Sequence, residues 1–266
     1  MYAFEYHRPA DPAAAARAGA TEDARFLAGG QSLVQAMKLR LAQPSALVDL
    51  GGIASLAGIT VGATSVKIGA MTRHSAVARS ADVQRAIPAL AVLAGGIGDP
   101  MVRNAGTIGG SLAHADPAAC YPSAILGLGA TLRTDRREIA GDAFFTGLFE
   151  TALQPGELLV EIEFPIPKQA AYLKFKHPAS RFAMVGVFVS NGAGGARVGV
   201  TGVKSCAFRW TDAEAALAKS GFTSASVASL ALDPSDVNGD MHGSAEYRAS
   251  LVATLTKRAV AEAAGA

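Results

Sequence analysis

Val102-Arg-Asn-Ala-Gly-Thr-Ile-Gly-Gly-Ser111-Leu-Ala-His-Ala-Asp-Pro117 is the stretch on which the fold turns. It overlaps a segment, residues 95–110, that holds six glycines in sixteen positions, far above a background of about 7%. That segment is too apolar for a solvated linker. Glycine at such density signals special backbone angles or close approach to another group. Inside it, Thr107-Ile108-Gly109-Gly110-Ser111 places a glycine pair before a small hydroxyl.

A similar junction lies upstream. There the short apolar run 24–28 ends at Ala28-Gly29-Gly30-Gln31-Ser32-Leu33, and the spacing of Leu33, Met37 and Leu41 predicts a helix capped by Ser32. Glycines without Cβ let backbone N–H groups face outward, and a helix start adds partial positive charge, which suits a phosphate or pyrophosphate. One such turn is also read as an ordinary glycine turn. Two in one compact domain point to a dinucleotide whose diphosphate offers oxygens to both. Neither Gly-x-Gly-x-x-Gly nor Gly-x-x-x-x-Gly-Lys-Ser/Thr occurs, so the Rossmann and P-loop readings have no support.

Working outward, Pro44 stops the first helix and residues 46–50 return as a strand before Gly51-Gly52. Residues 59–61 and 66–68 read as a hairpin linked through Gly62, and helices are expected from Ser75, over 82–93 and over 117–126. Strands follow at 130–134 and 158–164, the latter ending at Pro165 and Pro167. Beyond them come strands at 172–176, 184–190 and 196–203, then helices at 212–219 and 244–263. The change of pattern predicts a boundary near Lys168, separating a unit of residues 1–167 (parts about 1–55 and 56–167) from a smaller unit of residues 168–266.

Composition excludes several function classes. The chain has 266 residues, of which half are hydrophobic and 6% aromatic, so a sizeable core is within reach. Its 24 Lys+Arg against 22 Asp+Glu leave a net charge of +2, no footprint for nucleic acid or an anionic membrane. No apolar run reaches the roughly 18 residues of a membrane span, and the first residues lack a signal-peptide core. The reading is a soluble, cytoplasmic protein. Two cysteines, Cys120 and Cys206, cannot build a Cys-rich metal or iron–sulfur site, and the five histidines show no His-x-x-x-His spacing. No Gly-x-Ser-x-Gly elbow occurs. His114 and Asp116 read as turn partners rather than a catalytic pair, and Cys120 as a buried structural thiol.

The two glycine junctions and residues 102–117 resemble the FAD-binding medium subunits of the molybdenum hydroxylases, the carbon monoxide dehydrogenase and xanthine dehydrogenase family. Phe4-Glu-Tyr-His-Arg-Pro9, Ile68-Gly-Ala-Met-Thr-Arg-His74 and Ser244-Ala-Glu-Tyr-Arg248 match as well, so the similarity spans nearly the whole chain. The resemblance implies an α+β fold: a two-part FAD domain of the vanillyl-alcohol-oxidase (PCMH) type, then a smaller C-terminal α/β domain of the carbon monoxide dehydrogenase flavoprotein type. It implies that Ala28, Gly29, Gly30, Gln31, Ser32 and Leu33 hold one side of the FAD diphosphate and Thr107, Ile108, Gly109, Gly110 and Ser111 the other. Leu159 would lie against the flavin, Lys176 would be a basic residue near it, and Phe182 an aromatic beside the ring. Cys120 stands where relatives carry Asp or Glu as an anchor for hydroxyls. A thiol is a poor acceptor, an expected loss of about 1.5–3 kcal/mol in FAD affinity. Arg181 replaces a common Asp.

The implied function is an electron relay. Substrate is oxidised at a molybdenum cofactor in a large molybdopterin-binding subunit, and electrons cross [2Fe–2S] clusters of a small subunit to FAD in this chain and on to an external acceptor. The expected assembly is a dimer of heterotrimers, and no catalytic acid, base or nucleophile belongs to this chain. The competing readings are a structural subunit with a degenerate FAD site and a stand-alone flavin oxidase.

Overall fold

The computed structural model describes residues 1–265. The chain opens with β1 (Glu5–His7), α1 (Pro12–Gly19), β2 (Arg25–Leu27), α2 (Leu33–Lys38) and β3 (Ala46–Asp49), the strands forming a parallel sheet in the order β1-β3-β2. Ala15, Val48, Leu50, Ile53 and Leu56 make its small core. Helix α2 departs from expectation at both ends. The Ser32 side chain caps nothing. Arg40 turns left-handed at φ 60°, so the helix stops before Leu41, and Leu39 and Leu41 are 71% and 79% exposed. Of the periodic set, only Met37 is buried.

A five-stranded antiparallel sheet follows, in the order β4-β5-β10-β6-β7. Hairpin β4 (Ile59–Val61) and β5 (Ser65–Gly69) forms as expected, Gly62 donating to the Ser65 carbonyl. Helices α3 (His74–Arg79), α4 (Ala81–Ala86), α5 (Pro88–Gly95), α6 (Pro100–Ala105), α7 (Ile108–His114) and α8 (Tyr121–Leu128) come next. They are followed by β6 (Thr131–Thr134), β7 (Glu138–Ala140), the small pair β8 (Phe145–Gly147) and β9 (Glu150–Thr151), and β10 (Leu159–Pro165). Ile68, Leu90, Leu93, Ile108, Leu112, Ile125, Leu132 and Ile162 form the core of this part.

Three expectations are corrected here. The single helix over 82–93 is two helices, because Pro88 lacks an N–H and pushes Ile87 out of the helical region to φ −141°, ψ 75°. The glycine-rich stretch contains α6 and the start of α7, each begun by a side chain: Asp99 accepts from Val102 N at 2.9 Å and Thr107 from Gly110 N at 3.1 Å. Helix α8 starts at Tyr121 rather than Pro117. Ala115 is left-handed at φ 49°, and Asp116 takes the Ala118 N–H in a turn of its own at 2.8 Å.

The last sheet is antiparallel, β11 (Gln169–Lys176), β12 (Ala183–Gly192), β13 (Gly195–Thr201) and β14 (Phe208–Arg209) in that order, with helices α9 (Thr211–Ser220) and α10 (Ala245–Ala264). Strand β12 is buried on both faces. Val185, Val187 and Val189 join a core with Val200, Trp210, Leu217 and Val252, while Phe188 joins the core of the preceding part. Helix α8 lies directly on this sheet. A Cβ on Gly199 would overlap the Ser123 carbonyl, and one on Gly127 would come 2.8 Å from the Phe188 carbonyl oxygen.

Backbone meeting backbone there leaves no room to relax. Gly199→Ala is expected to lower stability by about 3 kcal/mol, at the severe end of overpacking, read as a lower urea midpoint with unchanged slope.

Candidate functional site

Strand β2 delivers Ala28 to the first glycine junction. A Cβ on Gly29 would overlap the Ala105 carbonyl oxygen and come 2.6 Å from the Gly106 Cα, so this backbone is pressed against the α6–α7 junction. Gly30 is left-handed at φ 71°, the conformation that reverses the chain into α2. Among the described residues, none accepts a hydrogen bond from the backbone N–H groups of Gly29, Gly30, Gln31, Ser32 or Leu33. Gln31 and Ser32 are exposed and their neighbours half-buried. A run of unpaired N–H groups in a turn is an anion cradle.

The second junction behaves differently. Ile108 N donates to the Thr72 carbonyl at 3.0 Å, Gly109 N to Ala70 at 2.8 Å, and Ser111 N to Thr107 at 3.1 Å. Gly110 N is taken by the Thr107 hydroxyl. These N–H groups are engaged within the fold, and what the loop presents outward is the half-buried Ser111 side chain. Gly109 is required because a Cβ would lie 2.7 Å from the Ala70 carbonyl oxygen, and Gly110 packs on the Ala28 methyl. The two junctions therefore touch twice, through Gly29 with Ala105–Gly106 and through Ala28 with Gly110.

After α7 comes the irregular segment 115–120, which is held from the last sheet. The Pro117 carbonyl accepts from Gly202 N at 2.8 Å and from Thr201 Oγ1 at 2.6 Å, and Ala119 accepts from the same hydroxyl at 2.9 Å. Cys120 Sγ lies 3.3 Å from Lys174 Nζ, which also donates to the carbonyls of Gly96 at 2.7 Å and Arg181 at 3.1 Å. Buried polar groups surround this point. The Tyr121 and Tyr172 hydroxyls and His74 Nδ1 have no partner, and burial raises both phenols. The His74 and Tyr121 rings are 5.4 Å apart.

Cys120 is buried, as the sequence predicts, and Leu159 is buried in the same core. Lys176 is exposed beyond a bulge at Phe175/Lys176, and Phe182 is exposed too. It is Lys174 that reaches the 115–120 segment. Strand periodicity carried that signal, since Tyr172, Lys174 and Lys176 share one face. Asp116 is occupied by its turn, and the His114 ring lies 5.2 Å from Phe149, so the two form no pair. Among the described residues, no group of His, Cys, Asp and Glu could hold a metal ion.

The model for the FAD binding domain in molybdopterin dehydrogenase matches residues 2–167, and that for the CO dehydrogenase flavoprotein C-terminal domain matches residues 170–263. The chain belongs to the FAD-binding medium subunits of the molybdenum hydroxylases. It is 35% identical to the carbon monoxide dehydrogenase medium chain of Hydrogenophaga pseudoflava, over 97% of this chain and 96% of that one. It is 36% identical to the alpha subunit of the 6-hydroxypseudooxynicotine dehydrogenase complex of Paenarthrobacter nicotinovorans, over 91% and 87%. The solved carbon monoxide dehydrogenase of Hydrogenophaga pseudoflava superposes with a TM-score of 0.89 at 35% identity, covering 99% of this chain and 98% of that one. Quinoline 2-oxidoreductase of Pseudomonas putida 86 gives 0.90 at 32% identity, covering 100% and 98%. This medium subunit thus carries an FAD-binding domain, and the free N–H run over residues 29–33 has the donor chemistry a diphosphate needs.

His74 gives the site a measurable pH dependence. Its N–H donates to the Gly106 carbonyl at 3.0 Å, and burial, with the Arg103 charge adding, pushes its imidazole from 6.5 down to about 4. The folded chain keeps this ring neutral while the unfolded chain takes up a proton. The stability it contributes is therefore whole above about 6.5 and is lost as pH falls toward 4. Unfolding free energy is expected to drop by about 2 kcal/mol from pH 7 to pH 5, and His74→Gln to flatten that slope in urea titrations.

Proposed function

We propose that this chain is the electron-carrying FAD subunit of a molybdenum hydroxylase complex. On this reading it takes electrons from [2Fe–2S] clusters of a small partner subunit and passes them to an external acceptor. A large molybdopterin-binding subunit oxidises the substrate, and two such heterotrimers pair. The observation that carries the reading is the unpaired N–H run from Gly29 to Leu33, set against a second loop whose own N–H groups are already used.

In this assignment Ala28, Gly29, Gly30, Gln31, Ser32 and Leu33 grip the diphosphate through backbone. Ser111 adds a hydroxyl. Thr107, Ile108, Gly109 and Gly110 serve by fixing the second loop against the first. Cys120, Leu159 and Lys176 are assigned to the flavin end. FAD, when bound, supplies the exchange between single-electron and two-electron transfer; the chain holds it, orients it and limits water around it.

Division of the chain at 167/168 fits this role, with residues 1–167 (parts about 1–55 and 56–167) carrying the cofactor loops and residues 168–266 bracing them. A partner surface is supported by Leu39, Leu41 and Met101, each more than two-thirds exposed. Along the chain they follow the first loop and precede the second. Free in water they would be a liability, and a partner subunit that covers them removes it.

The test is an absorption spectrum of the purified chain with the released cofactor identified by mass. FAD near one per chain is the expected result. A colourless chain, alone and co-expressed with its partner subunits, would overturn the reading and leave a structural subunit. Two substitutions sharpen it. Ser111→Ala removes one hydrogen bond of about 1 kcal/mol, so FAD affinity is expected to fall roughly fivefold with the fold intact. Gly29→Ala forces the two loops apart and is expected to abolish flavin retention, measured by fluorescence after desalting.

A further inference from the structure

Lys174 and Cys120 come from different parts of the chain, 54 residues apart, and meet with nitrogen and sulfur 3.3 Å apart. Nothing in the family role described above uses this contact. The amine is not free to swing away, because the Gly96 and Arg181 carbonyls accept its other hydrogens at 2.7 and 3.1 Å. Cys120 as a whole is 5% exposed. Next to it stands the Tyr172 hydroxyl, fully buried, with the Cys120 sulfur, a poor acceptor, as its polar neighbour and no well-formed hydrogen bond to any group. An unpaired buried hydroxyl costs stability unless some state of the protein satisfies it. An oxygen placed on Cys120 would be its acceptor.

We propose that Cys120 and Lys174 form a peroxide-driven covalent clasp, a sulfur–nitrogen link between the start of α8 and strand β11. Hydrogen peroxide, formed wherever a reduced flavin meets dioxygen, is the oxidant. In the first step the thiol attacks peroxide and the O–O bond breaks. Cys120 becomes a sulfenic acid, sulfur gives up two electrons, and one water leaves. The Tyr172 hydroxyl donates to the new oxygen and holds the S–O group. Lys174, its ammonium proton released to solvent, then attacks the sulfur through its nitrogen lone pair. The N–S bond forms, the S–O bond breaks, and hydroxide departs as water with a proton from the nitrogen. In sum, one thiol, one amine and one peroxide give one sulfenamide and two waters. Two equivalents of an external thiol reverse it, giving back thiol and amine and yielding a disulfide of the reductant.

The clasp would join the segment that follows the second glycine junction covalently to the C-terminal sheet, where hydrogen bonds and packing alone join them in the reduced chain. Cys206 is the internal control. It is more exposed than Cys120, and among the described residues no amine is hydrogen-bonded to its sulfur.

The experiment is titration of the full-length chain with hydrogen peroxide, followed by peptide mapping with and without dithiothreitol. The expected product is a peptide pair joined through Cys120 and Lys174, two hydrogens lighter than the sum of its parts and separated by dithiothreitol. Lys174→Arg keeps donors toward Gly96 and Arg181 but removes the nucleophilic amine. It is expected to stop at a sulfenic acid that dimedone traps. The proposal is overturned if Cys120 gains oxygen while Lys174 stays free, if Cys120 is untouched once Cys206 is fully oxidised, or if the link forms to another lysine. The wild-type map decides even where the variant fails to fold. Because Cys120 is assigned to the flavin end, peroxide is added to the chain both free of FAD and loaded with it; the link in either form supports the proposal, and its failure is separable from failure of the relay reading, which the flavin spectrum decides.

Discussion

The Ala105 carbonyl occupies the space where a side chain on Gly29 would stand, and the candidate site is organised by that contact. It lets two backbone turns approach to van der Waals distance with nothing between them. One turn then keeps its N–H groups unpaired, while the other spends its own on Thr72, Ala70 and Thr107. The division of labour is physical. A turn anchored through its N–H groups is stiff, and a stiff wall lets the neighbouring turn hold open donors without collapsing on itself. Unpaired N–H groups are tolerable only where water or a ligand reaches them, and the exposure of Gln31 and Ser32 provides that access.

The second constraint comes from the far end of the chain. Thr201, Gly202, Ala183 and Lys174 all donate into residues 117–120. Each bond adds only about 1 kcal/mol net, yet leaving those carbonyls buried and unpaired would cost more. The last sheet is thus a brace for a segment it does not belong to. The glycines at 127 and 199 extend the same closeness along α8.

Much of this was legible in the sequence, and the failures have identifiable causes. The glycine pairs marked both junctions because no other residue tolerates such approach. The strands over 158–164 and 184–190 were clear from apolar runs bounded by proline and polar turns. Helices α6 and α7 were hidden because glycine masks helical periodicity, although Asp99-Pro100 and Thr107 carried the start signals. The apolar spacing over 82–93 runs through Pro88, and it is the proline that divides it into two helices. At Leu41 regular spacing misled, since left-handed Arg40 ends the helix first. The roles of Lys174, Tyr172 and His74 arise from contacts with residues far along the chain, His74 with Arg103 and Gly106 and Lys174 with Cys120, 54 residues away, which no local pattern records. Lys174 alone had a local hint, its shared face with Lys176.

The brace on residues 117–120 also sets an order of events in the cell. Thr201 lies 84 residues downstream of the Pro117 carbonyl that it satisfies. At roughly 5–20 residues per second, the segment beside the candidate site waits several seconds on the ribosome with water as its only partner. Both glycine junctions emerge early and can meet at once, but the segment that follows the second is held only when the C-terminal sheet arrives. The two loops can therefore meet before the segment that follows them is braced, and the bracing waits on strands made well after both loops.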